Sequence, residues 1–94
     1  MSDDELTFLA AKACGHTEPG FSPLTDDGDA LRLAVKLLLV VHHEFNMGEW
    51  QAEAFNMPDD DGKSQCAMYP HGTDPYAATR LAIVRAAAAI SNSL

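Results

Sequence analysis

The feature that most constrains the fold is a change of hydrophobic period near Leu38. Before this point Ala30, Leu33 and further apolar residues recur every three or four positions, which is typical of one helix face. After it, "LVVHHEFN" (residues 39–46) alternates, which predicts a strand with Val41, His43 and Phe45 on one face. The chain must therefore pack helices against a sheet.

Other segments complete this prediction. Residues 2–15 form a helix that starts at a Ser2–Glu5 capping box, and residues 25–39 form the second helix. Residues 49–56 follow the tight turn "NMGE" as a second strand, and residues 64–70 form a short third strand. Asp74 and Pro75 then begin a helix that runs to Ile90. The order ααβββα predicts one α+β domain over residues 1–94, with three helices packed on a three-stranded antiparallel sheet.

The last helix has an unusual composition. Ala82, Ala86 and Ala89 share one side, which carries no polar residue and would be atypical of a surface in contact with water. We expect another helix or a second subunit to approach this side closely.

The charge of the chain limits its partners. Fourteen acidic and six basic residues give a net charge of −8. Nonspecific nucleic-acid binding needs clustered Lys and Arg, so the composition argues against it and against anionic membrane surfaces. It permits binding to a basic protein. The 94-residue chain is rich in alanine and has a modest core, so a homodimer is also plausible.

Cysteine usage and apolar runs predict a cytoplasmic protein. Cys14 and Cys66 are far apart and form neither a disulfide framework nor a C-x-x-C motif, so we expect them in or near the core. The acidic N-terminus does not resemble a signal peptide, and the longest apolar run is too short to cross a bilayer.

A histidine–carboxylate pair is the first candidate for chemistry. His42 and Glu44 point to the same side of the first strand, where they might bind Zn²⁺ or transfer a proton. A zinc site would need a third ligand from Glu53, His16 or His71. No metal-binding motif is present, and a solvated polar sheet face is the favoured interpretation.

An aspartate run is the second candidate. Asp59, Asp60 and Asp61 resemble part of a calcium loop, but its first and twelfth positions would fall on Met57 and Met68. A polar turn explains the run better. We therefore predict no metal, no cofactor and no catalytic residue.

Two long segments resemble a known family. "PLTDDGDALRLAVKL" (residues 23–37) and "HGTDPYAATRLAIVRAAAAI" (residues 71–90) resemble the phage ABA sandwich domain, found in small proteins of bacteriophages and prophages. "DDELTFLAAKACG" resembles its opening helix. The resemblance implies an α-β-α layered domain and an accessory protein that acts in the cytoplasm of an infected bacterium. It brings no catalytic residue and no cofactor.

These observations predict a protein that acts by binding. The expected partner is a host protein or complex with a basic surface, and one concrete role is counter-defence, in which the protein covers such a surface of a host immune complex. The candidate binding residues are acidic: Asp59, Asp60, Asp61, Glu44 and Glu53.

Three alternatives stay open. The first is a protein that sequesters a nucleotide signal, which would require Arg32, Arg80 and Arg85 to converge on a pocket. The second is a structural or assembly protein of the virion. The third is a metal-dependent enzyme that uses His42 and Glu44.

Overall fold

A computed structural model describes residues 2–15, 20–58, 62 and 64–92 of the chain. It confirms the predicted α+β class and the order ααβββα. The elements are α1 (Asp3–Cys14), α2 (Asp27–Lys36), β1 (Val40–Asn46), β2 (Glu49–Phe55), β3 (Cys66–Pro70) and α3 (Pro75–Asn92).

Side-chain caps begin each helix. The Ser2 hydroxyl accepts a hydrogen bond from the Glu5 amide, and the Asp26 carboxylate accepts one from the Asp29 amide. The Asp74 carboxylate accepts two, from the amides of residues 76 and 77. Each cap satisfies backbone donors that lack a partner within the helix, so short polar residues mark these starts.

Helix α2 ends earlier than the hydrophobic pattern predicts. We expected it to reach residue 39, but it stops at Lys36. Leu38 has a φ of 56°, in the left-handed region, and the Leu39 amide donates to the carbonyl of Ala34. Apolar spacing continues past the point where the backbone reverses, so it could not reveal this end.

The sheet has two distinct faces. Its antiparallel order is β1-β2-β3, and its register sets Val41, Ala54 and Ala67 in one row. We call their side the inner face; Val41, His43, Phe45, Trp50, Ala52, Ala54, Ala67 and Tyr69 lie on it. The outer face carries Val40, His42, Glu44, Glu49, Gln51, Glu53, Phe55 and Met68. This division confirms the alternation predicted for β1 and β2.

The described helices lie on the inner side of the sheet. Helix α3 packs on β2 and β3, where Ala52 and Ala54 are fully buried, and α1 and α2 pack on α3. The resemblance implied helix layers on both sides of the sheet. In the described part of the chain, no helix covers the outer face.

The alanine side of α3 lies in the core. Ala82 and Ala86 are completely buried, and Ala89 is partly buried. Ala82 and Ala86 belong to one cluster with Leu6 of α1 and Leu33 of α2. The expectation that another helix approaches this side is therefore confirmed. Within the described ranges, no helix is long and apolar enough to span a membrane.

We expect Ala86→Leu to destabilise the fold. Ala86 is fully buried between elements that approach closely because its side chain is small, so extra methyl groups should cost about 1–3 kcal/mol of unfolding free energy. Urea denaturation followed by circular dichroism measures the change. Ala89→Leu, on the same helix side but partly exposed, is the control. An equal or larger loss in that control would contradict the assignment.

Candidate functional site

An aromatic cluster occupies the inner face at the end of the β1–β2 hairpin. The rings of Phe45 and Trp50 lie 5.6 Å apart, and Trp50 stacks on His71 at 6.4 Å. His43 Nδ1 and His71 Nε2 are 2.9 Å apart, which is a hydrogen bond between two imidazoles. Phe45 and Trp50 are 61% and 53% exposed. The cluster therefore presents large apolar rings to solvent.

A groove opens beside this cluster. It lies between α2, α3 and β1 and encloses about 570 Å³. Its walls are mostly apolar, and its lining includes Leu31, Ala34, Val41, His43, Tyr76 and Ile83. This volume lies within the range of about 300–1,000 Å³ typical of binding clefts.

Arg80 fixes one wall of the groove. Its Nε donates to the carbonyl of Leu24 at 2.8 Å, and its Nη1 donates to Asp27 Oδ1 at 2.6 Å. The Arg80 side chain is mostly buried, so these bonds hold α3 to the segment that leads into α2. Its donors are directed at protein acceptors, away from any ligand.

The outer face is acidic. Glu44, Glu49 and Glu53 lie on it, and the strands contain no Lys or Arg. Glu53 forms an ion pair with His42 across the β1–β2 pair, so its charge is partly balanced whenever that imidazole is protonated. Glu44 pairs in register with Gln51, a neutral residue.

The basic residues lie elsewhere. Five of the six are in helices, and Lys63 lies outside the described residues. The helical ones are Lys12, Arg32, Lys36, Arg80 and Arg85. The described basic residues are therefore confined to the helices, which also hold five acidic residues, whereas Glu is the only residue type with a permanent charge in the strands.

The predicted acidic set is brought together only in part. Glu44 and Glu53 share the outer face, two residues apart in register across adjacent strands. Asp59, Asp60 and Asp61 lie outside the described residues.

The candidate pair of His42 and Glu44 is arranged differently in the structure. His42 pairs with Glu53 on the neighbouring strand, and its proposed partner Glu44 is two positions away along β1. His71 approaches His43, on the opposite face from His42. Among the residues described, no three His, Cys, Asp or Glu side chains form a group that could hold a metal ion.

The arginines proposed for an anion pocket do not converge. Arg80 lines the groove, Arg32 pairs with Asp29, and Arg85 lies over the ring of Tyr69. The described cysteines also differ from each other: Cys14 is partly buried as expected, whereas Cys66 is exposed. The expectation of a core position is wrong for Cys66, because its place in β3 puts it on the outer face beside Phe55.

Sequence reasoning missed the groove and the role of His71. The alternation placed His43 on one face of β1 with Val41 and Phe45, but nothing local indicated that Trp50 and the residue after β3 would join it. The register of β2 with β3 explains the position of His71. The His71 amide donates to the carbonyl of Trp50, which extends the β2–β3 ladder by one pair.

Comparisons with protein-family models, curated proteins and solved structures find no match to this chain. The resemblance to the phage ABA sandwich domain therefore stays a prediction.

We expect Arg80→Met to destabilise the protein and Arg85→Met to have little effect. Loss of the Arg80 bonds removes a charged donor from the Leu24 carbonyl and from Asp27, which should cost about 1–3 kcal/mol. Exposed Arg85 makes a distant ring contact that contributes less than about 1 kcal/mol. Urea denaturation of both variants gives the two costs. Equal costs would show that Arg80 is not a specific anchor.

Proposed function

We propose that this protein acts by binding a macromolecule with a basic surface, and that the outer face of its sheet is the contact surface. The observation that carries the proposal is the charge of the strands, which hold three glutamates and no Lys or Arg. Like charges on one face produce a field that extends beyond contact distance and steers an oppositely charged partner.

Three features support contact at this face. No helix covers it within the described ranges, and Glu49 is exposed while Glu44 and Glu53 are partly buried. Glu44, Glu49 and Glu53 extend from a hairpin of two seven-residue strands that holds them at fixed spacing. Phe55 and Met68 lie among them and provide apolar area for a partner to cover. A rim of charge around apolar side chains is the usual composition of a transient protein interface.

A finer version of the proposal concerns the setting. The resemblance to a phage domain supports a role in the cytoplasm of an infected bacterium. A basic surface of a host immune complex is then a partner of suitable charge, and occupying it would be counter-defence. A role in the virion or its assembly stays an alternative prediction. The alternative that the protein sequesters a nucleotide has weaker support, because Arg32, Arg80 and Arg85 each contact a different part of the protein.

The test compares two variants of equal net charge. Glu44→Gln/Glu49→Gln/Glu53→Gln removes the charge of the outer face, and Asp3→Asn/Asp4→Asn/Glu5→Gln removes three exposed acids from the start of α1. Wild type and both variants are immobilised and exposed to bacterial lysate. The captured basic protein is then purified, and its association rate is measured against NaCl concentration.

We expect the outer-face variant to lose roughly a factor of ten in association rate and to become less sensitive to salt. The α1 variant should keep most of the wild-type association rate and most of its sensitivity to salt, because the charges that it removes lie away from the outer face. Equal loss in the two variants would reduce the effect to net charge. Unchanged binding by the outer-face variant would remove the outer face from the interaction.

A further inference from the structure

Within the described part of the chain, strand β1 has a free and unprotected edge. It is the terminal strand of the order β1-β2-β3, and it is seven residues long. Natural sheets usually block such edges with Lys, with Pro or by shortening the strand. β1 contains neither residue type, whereas the opposite edge, β3, has five residues and ends in Pro70. Association through a sheet edge is therefore expected at β1.

The ladder shows which backbone groups point outward. The His71 amide donates to the carbonyl of Trp50, and the Asn56 amide donates to that of Gln65. Even-numbered residues of β2 therefore bond to β3, and odd-numbered residues bond to β1, because bonding alternates along an antiparallel strand. In the register of β1 with β2, this leaves the N–H and C=O groups of Val41, His43 and Phe45 directed away from the sheet.

We propose that two copies of this chain pair through β1. The two strands run antiparallel about a two-fold axis at His43 and join the two sheets into one of six strands. The three outward residues of each copy then exchange hydrogen bonds: Val41 with Phe45 of the second copy, His43 with its counterpart, and Phe45 with the second Val41.

The sequence of β1 is self-complementary in this register. On the outer face, His42 of one copy lies opposite Glu44 of the other, and this pair occurs twice. On the inner face, Val41 lies opposite Phe45, and this pair also occurs twice. Opposite charges and apolar pairs directly across from each other stabilise a sheet.

The neighbouring registers are worse. An axis at Glu44 would set the two Glu44 carboxylates directly opposite each other, and like charges in that position destabilise a sheet. An axis at His42 would place Glu44 opposite Val40 and leave Phe45 outside the paired segment. Only the axis at His43 uses all seven residues of β1.

The position of the groove also favours a second copy of this chain as the partner of β1. Val41 lines it, and the second copy's Phe45 would lie opposite Val41 on the inner face, at the mouth of the groove. Phe45 is 61% exposed, and Leu31 of α2, which lines the groove, is 64% exposed, so apolar side chains are available beside this strand edge. A two-fold interface uses the same patch on both copies, so each groove receives one phenyl ring.

The inference does not depend on the proposed function, because its test uses no partner. If both hold, the six-stranded sheet presents two sets of Glu44, Glu49 and Glu53 on one continuous face.

The first experiment measures mass by sedimentation equilibrium over a concentration series. Wild type should approach twice the 10.1 kDa chain mass as concentration rises. Phe45→Lys should weaken dimerisation at least about tenfold, because the substitution occurs twice per interface. Met47→Lys is the control: Met47 is 93% exposed and lies in the turn beyond β1. A wild type that stays monomeric at its solubility limit, or equal weakening by both variants, overturns the proposal.

The second experiment tests the register and does not rely on Phe45. In a Cys14→Ala/Cys66→Ala background, His43→Cys places two thiols across the axis, with Cα atoms about 5.5 Å apart, within disulfide range. Asn46→Cys, on the same strand, leaves its two thiols six residues apart, about 20 Å. Oxidation should cross-link the first variant and leave the second monomeric on a non-reducing gel. Efficient cross-linking at position 46, or none at 43, overturns the proposed axis.

Discussion

The burial of α3 is the interaction on which the rest of the structure depends. This helix contacts the sheet, α1 and α2. The other two helices make most of their contacts between elements with α3. Three elements can surround one helix only where its side chains are short, and Ala82, Ala86 and Ala87 are all completely buried. Close packing then replaces large side-chain area as the source of stability, because dispersion contacts accumulate at short separation.

An alanine core has a consequence at the surface. Small inner residues leave little room for large apolar side chains, so Leu31, Val35, Phe45 and Trp50 are all more than half exposed, and Leu31 lines the groove. A 94-residue chain buries only a modest part of its unfolded surface, and association is a common way to cover the remainder. The alanine-rich composition of α3 and the free edge of β1 thus both favour association with another chain.

Much of this fold follows from local pattern. Alternation predicted the two faces of β1 correctly, and caps at Ser2 and Asp74 marked the starts of α1 and α3. The end of α2 did not follow, because Leu38 adopts a left-handed backbone that its residue type does not favour. The candidate site was harder still. Glu44 and Glu53 were placed on one face, but the pairing of His42 with Glu53, and the groove, depend on register and on helix position.

The two faces of the sheet have different chemistry, and this separation lets one small domain hold two surfaces. The inner face and the β1 edge present aromatic and aliphatic groups, which associate through area and geometry and depend little on salt. The outer face presents carboxylates, which act over distance and weaken as ionic strength rises. Because side chains alternate along each strand, a substitution at Phe45 leaves the row of Glu44 on the opposite face. A substitution at Phe45 should therefore alter self-association without removing an outer-face carboxylate, whereas Glu44 belongs to both surfaces because it would lie opposite His42 of the second copy.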